Sequence, residues 1–104
     1  MKNELQSLSY IISRYFRFYL PGERGFSMMT IASYRDTFKQ FLSYCSETNG
    51  KPPEKLVMAD LSKESVAEFL AHIELEGKSV STRNQRLAAI KSFFNYVKYA
   101  FPEY

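Results

Sequence analysis

Apolar residues recur at three- and four-residue steps through four stretches of the chain, and nowhere do they alternate long enough to predict a strand. The first stretch covers residues 3–20, with Leu5, Leu8, Ile12, Tyr15, Phe16 and Tyr19 on one stripe. Pro21-Gly22 should end it, because proline cannot continue the hydrogen-bond ladder. The second runs from about 27 to 48 and aligns Ile31, Tyr34, Phe38, Phe41, Leu42 and Cys45. Ser27 is placed to cap it with Thr30 in the first turn, and Asn49-Gly50 offers a left-handed exit into an extended Lys51-Pro52-Pro53 connector. The third begins at Ser62, with Leu61 and Val66 at the positions of a hydrophobic staple. Val66, Phe69, Leu70 and Ile73 face inward, and Gly77 closes the helix. The fourth starts at Ser79 or Ser81, between which the pattern does not choose. It buries Leu87, Ile90, Phe94 and Val97, with Phe93 at the edge. Short connectors between four amphipathic helices predict an all-α, compact four-helix bundle.

Some aromatic positions exceed that plan. Tyr10, Ile11 and Phe18 lie off the first stripe, and Tyr96, Tyr99 and Phe101 crowd the other end of the chain. Part of this set completes the core; the remainder suggests apolar surface meant for another domain or subunit.

At 104 residues the chain is long enough for one domain with its own core, and its apolar fraction of 45% is ordinary for a folded protein. One cysteine excludes an internal disulfide framework, and Cys45 falls among apolar positions, so a buried thiol is expected in a reducing, cytoplasmic setting. No apolar run approaches the ~20 residues of a membrane span, so no membrane partner is expected.

Catalytic chemistry is not legible. One His and one Cys, far apart, cannot form a zinc site, and no metal or cofactor is expected. The four glycines sit at helix ends or in loops rather than in a phosphate-binding loop. No serine can be given a His-plus-acid pair, His72 lies beside the apolar stripe, and Glu64 and Glu68 read as a solvated helix face.

Charge distribution carries more. The net charge is only +3, yet the fourth helix holds Arg83, Arg86, Lys91 and Lys98, follows Lys78, and contains no acid. The third carries Glu64, Glu68, Glu74 and Glu76 against Lys63. A solvated face usually mixes both signs for helix-stabilising pairs, so an acid-free face points to a polyanion. Ser81, Asn84, Gln85, Ala88, Lys91, Ser92 and Asn95 form the outward side of this helix, and amides such as Asn84 and Gln85 suit adenine edges. The second and fourth helices both open with hydroxyl residues, where free backbone N–H groups receive phosphate oxygens.

The segment Phe26-Ser27-Met28-Met29-Thr30, followed by Tyr34-Arg35-Asp36, Phe38 and Phe41-Leu42, resembles the N-terminal core-binding domain of tyrosine recombinases, the phage-integrase family. The block from Gly77 to Phe94, with Ser79-x-x-Thr82, Arg86-Leu87-x-x-Ile90 and Phe93-Phe94, is similar to that family's final helix. The likeness covers about residues 5–100. It implies a SAM-like bundle spanning residues 1–104 that forms half of a clamp around double-stranded DNA, its second and fourth helices against the major groove. By position it implies contacts from Thr30, Ser33, Ser81, Thr82, Gln85 and Arg86. Lys39, Arg83 and Lys91 are added on charge and placement. Arg35 matches a family position but lies beside the core stripe, where an acid such as Asp36 would pair with it. The family's catalytic residues belong to a second domain, so this chain alone is expected to bind without cutting. Its expected partners are then DNA, the C-terminal catalytic domain of the same full-length protein, and other recombinase protomers in a synaptic complex. The apolar residues from Tyr96 to Phe101 end where a linker to that second domain would begin, and Tyr104 is not the nucleophile. The alternative from another class is a helical protein–protein interaction module whose basic face docks an acidic partner, or which self-associates.

Overall fold

The computed structural model describes residues 7–104, which are helical with no strand among them. Helix α1 spans Leu8–Arg14 and continues without a break as a wider-wound helical segment, Tyr15–Glu23. Helices α2 (Met28–Asn49), α3 (Lys63–Leu75) and α4 (Val80–Ala100) complete the bundle. Leu5 lies outside the described residues.

Proline does not end the first helix. Pro21 sits inside it, and Arg24 N–H donates to the Tyr19 carbonyl at 2.9 Å, five residues back. In an ordinary α-helix the proline ring would clash with the carbonyl four residues earlier; widening the turn moves that carbonyl aside. The exit comes instead at Gly25, whose φ of +62° favours glycine, and Phe26 N–H closes onto the Leu20 carbonyl.

The other boundaries follow their caps. Ser27, Ser62 and Ser79 each accept a hydrogen bond from the backbone N–H three residues on, so Ser79 rather than Ser81 opens α4. Gly50 and Gly77 take positive φ at the ends of α2 and α3. The connector after α2 is more structured than its two prolines suggest. It forms short 3₁₀ turns at Pro53–Lys55 and Met58–Asp60, and it buries Leu56 and Leu61. Asp60 Oδ2 fastens it by accepting from Val57 N–H at 2.9 Å and Lys51 Nζ at 2.8 Å.

The core is a chain of rings. Tyr15 meets Phe93 edge-on at 5.2 Å, Phe93 meets Phe38 at 4.5 Å, and Phe41 meets Phe69 at 5.4 Å, so all four helices share one aromatic cluster. Two positions differ from the helical pattern. Ile11 and Phe93 are both 0% exposed, while Ile12, Leu87 and Phe94 are only half-buried. The buried stripe of α4 keeps Ile90 and Val97 but shifts toward Phe93 and Tyr96, by less than one residue step, while in the first helix Ile11 joins Leu8, Tyr15 and Phe16 on the predicted side. Tyr96 is also buried, and Phe101 packs on Tyr96 and Tyr10, so part of that aromatic end completes the core. Tyr10, Phe18 and Tyr99 remain exposed.

Candidate nucleic-acid interface

Helices α2 and α4 leave an open groove between them. One part, about 550 Å³, is lined by Ser33, Asp36, Gln40, Thr82, Gln85 and Arg86 among others. The adjoining part, about 370 Å³, shares Met29, Ser33 and Gln85 with it and adds Thr30, Tyr34 and Ala88. Thr30, Ser33, Thr82, Gln85 and Arg86, separated by half the chain, thus meet along one surface.

Both helices enter this groove with the same local device. At α2, Thr30 N–H donates to Ser27 Oγ at 3.1 Å while Ser27 Oγ donates to Thr30 Oγ1 at 3.0 Å. At α4, Thr82 N–H donates to Ser79 Oγ at 3.1 Å and Ser79 Oγ donates to Thr82 Oγ1 at 3.1 Å. In each case serine satisfies one orphan N–H, and the threonine, already accepting, keeps its own O–H to donate outward. Each of these helix starts thus has one hydroxyl engaged in the cap and a second whose O–H is not used by it.

The remaining sequence candidates fall elsewhere. Arg83 is turned toward α3, where its Nε lies 2.7 Å from Glu74 Oε2, and its Nη1 donates to Asn84 at 3.3 Å. The expectation of an acid-free basic face does not hold for it, because α3 delivers a glutamate from a neighbouring helix that no inspection of α4 alone reveals. Lys91 lies on the same α3-facing side, away from the groove. Ser81 is exposed in the first turn but does not line the groove. Lys39 is exposed two turns beyond Ala32, which does line it, and so flanks the groove on the outer side of α2. Ser92, expected outward, is half-buried and accepts a hydrogen bond from Tyr15 Oη at 2.8 Å. Arg35 pairs with no acid among the described residues; its guanidinium lies 5.5 Å from the Phe16 ring centre.

Met29, Asp36 and Gln40 were missed as groove residues. They share with Ser33 a stripe at positions i, i+4, i+7 and i+11 of α2, a spacing readable beside the apolar stripe. Met29 is 85% exposed. Asp36 brings a carboxylate into the groove, which repels phosphate but accepts from a base amine. Arg86 has no ion-pair partner among the described residues.

Cys45 is fully buried, and burial pushes its thiol up to about 11, away from nucleophilic use. His72 is exposed, with Nε2 3.2 Å from Glu76 Oε2. Among the described residues no cluster of His, Cys, Asp and Glu has the makings of a metal site, and no helix is long and apolar enough to cross a membrane.

The chain is thus a small all-helical domain with two capped helix N-termini and an open groove of mixed polar and apolar lining between them. The comparisons with known proteins give the family. The model of the phage integrase N-terminal SAM-like domain matches residues 12–100, and the chain belongs to that family. It is 38% identical over 99 residues to a Sinorhizobium fredii protein named as an integrase/recombinase, covering 94% of this chain and 30% of that protein. A tyrosine recombinase XerC of Herpetosiphon aurantiacus is 35% identical over 80 residues, 77% of this chain and 24% of its own length. A tyrosine recombinase XerD of Listeria monocytogenes is 32% identical over 83 residues, 79% and 26% respectively. The chain spans about a third or less of the curated relatives it matches. No solved structure matches it at a comparable level of significance.

Proposed function

We propose that the α2–α4 groove receives the major groove of duplex DNA, and that residues 1–104 act as the core-binding half of a clamp in a cytoplasmic site-specific tyrosine recombinase. Strand breakage and rejoining are assigned to a catalytic domain of the full-length protein, and other protomers complete the synaptic complex. Thr30 and Thr82, each at a helix N-terminus with a free O–H, hold phosphates. Ser33 and Gln85 face base edges, where a glutamine amide suits adenine. Arg86 and Lys39 supply the charge. Ser81 lies beside the phosphate site at the start of α4, and Arg83 and Lys91 fall outside the contact surface.

One observation carries this reading: five side chains from two distant segments converge on a single open groove between two helix starts. The family membership supports it, since the relatives are named as recombinases.

The test is duplex binding by fluorescence anisotropy across a salt series. With Arg86 lining the groove and Lys39 flanking it, log K against log salt should fall with a slope of about −2, at ~0.9 per phosphate. Arg86→Glu should remove most of the affinity while far-UV circular dichroism and the urea midpoint stay unchanged. A folded Arg86→Glu variant that keeps its duplex affinity overturns the assignment.

A further inference from the structure

The opposite flank of α4 carries a different surface. Between α3 and α4 runs an open trough of about 650 Å³. Its floor is aliphatic and aromatic: Val66 and Leu70 from α3, Leu87, Ile90 and Phe94 from α4. Leu70 and Ile90 are buried, whereas Val66, Leu87 and Phe94 remain partly open to solvent at the seam. The banks are basic, with Lys63 on one side and Lys91 and Lys98 on the other. No acid lines it, and Glu74 already engages Arg83 at its end.

We propose that this trough docks an acidic amphipathic helix of a partner protein, by a surface separate from the DNA groove. Two antiparallel neighbours with an unfilled apolar seam accept a third helix whose ridge sits in the groove between them. The lined stretch from Arg83 to Lys98 extends over about 22 Å of α4 at 1.5 Å per residue, enough for some four helical turns. Lys91 and Lys98 stand two turns apart on one bank, about 10 Å. A partner with Leu or Phe at i, i+3, i+7 and i+10, and with Glu or Asp two turns apart on its flanks, satisfies both floor and banks. Charge complementarity chooses this occupant. A neutral helix would leave three lysines at the rim unpaired. A nucleic acid would meet the lysines but leave the aliphatic floor uncovered, because its bases stack on planar rings and Phe94 is the sole one here. The inference does not depend on the DNA reading.

The probe is a synthetic helical peptide of about 15 residues with that Leu and Glu pattern, titrated into the isotopically labelled chain by NMR. Shifts should concentrate at Val66, Leu70, Leu87 and Phe94. Affinity should exceed that of a scrambled peptide and of poly-glutamate by about tenfold or more, ~1.4 kcal/mol. Ala67→Trp, which fills the trough from its exposed α3 bank, and the double variant Lys63→Glu with Lys98→Glu should each weaken binding by a similar factor. Their urea midpoints should stay at the wild-type value, and added duplex DNA should not displace the peptide from the wild-type chain. Equal binding of scrambled peptide or poly-glutamate, shifts outside the trough, displacement of the peptide by duplex, or sedimentation showing a second copy seated there would each overturn it.

Discussion

The hydroxyl of Tyr15, on a fully buried ring, donates to Ser92 Oγ at 2.8 Å across 77 positions of sequence. This bond ties the first helix to α4, and it withdraws Ser92 from the outward face. Removing the two partners should have unequal effects. Tyr15→Phe deletes the donor and keeps the ring, costing about 1 kcal/mol. Ser92→Ala leaves a buried hydroxyl without its acceptor and should cost more, ~1–3 kcal/mol. The double variant should then resemble Tyr15→Phe alone. Urea unfolding of the three proteins checks this, and strict additivity of the two losses would contradict it.

Alkaline stability depends on the same phenol. Burial pushes Tyr15 up to about 12, with the Ser92 bond opposing part of the shift. Below the ordinary tyrosine value of ~10 the phenol is neutral folded and unfolded, so its contribution is complete. Above ~10 the unfolded chain ionises first, and stability falls until the pH passes the folded value, by at most ~1.4 kcal/mol per pH unit for this group. Thermal melts from pH 9 to 12 should show a decline that Tyr15→Phe makes shallower. Burial also raises Tyr96, so the decline should not vanish. An unchanged slope in Tyr15→Phe would refute the assignment.

Acid should act on the connector. Bonds from Lys51 and from Val57 N–H hold the Asp60 carboxyl below its usual range. A depressed carboxyl stabilises the fold above its unfolded value of ~3.9 and loses that contribution as pH falls through the folded one. Asp60→Asn should therefore be destabilised at pH 7, by up to ~1 kcal/mol for a partly exposed pair, and its deficit should narrow near pH 3. Urea midpoints at both pH values make the comparison; a deficit that widens in acid would be the wrong sign.

Within the α2–α4 groove, Asp36 is the acid whose removal is informative. Asp36→Asn should raise general duplex affinity by up to about tenfold, since one phosphate-repelling charge is lost. Arg83→Ala should change duplex affinity much less than Arg86→Ala, because Glu74 already engages that guanidinium. Anisotropy titrations at one fixed salt concentration rank the three variants. Arg83→Ala equalling Arg86→Ala would mean that the ion pair opens on DNA.

Legibility differed by element for physical reasons. Ser27, Ser62, Gly50 and Gly77 were readable because caps and left-handed exits depend on a few adjacent residues. The end of the first helix was misplaced by three residues because Pro21 is tolerated when the turns widen, and that widening needs the packing of Tyr15, Phe16 and Leu20 around it. Leu56 lies in a connector too short to show a period, so its burial had no signal, whereas Leu61 was marked by the staple it forms at the start of α3. The candidate contact residues separated along similar lines. Thr30 and Thr82, taken from hydroxyl helix starts and the family pattern, lie on the groove, whereas Arg83 and Lys91, added on charge and placement, lie on the α3 side of α4.

The chain's own pattern determined four amphipathic helices, where three of them are capped, and the family, since periodicity, hydroxyl starts and glycine exits act over one or two turns. Tertiary structure decided the rotation of α4 about its axis, and hence that Phe93 is central, and it placed Ile11 in the core. It also decided that Glu74 engages Arg83 and that α4 has a polar groove on one flank and a lysine-rimmed trough on the other. An apolar stripe specifies a helix's buried side only to about one residue, ~100° of rotation. Which charge meets which across two helices depends on that angle and on the neighbour's position, and both are set by packing of the aromatic core.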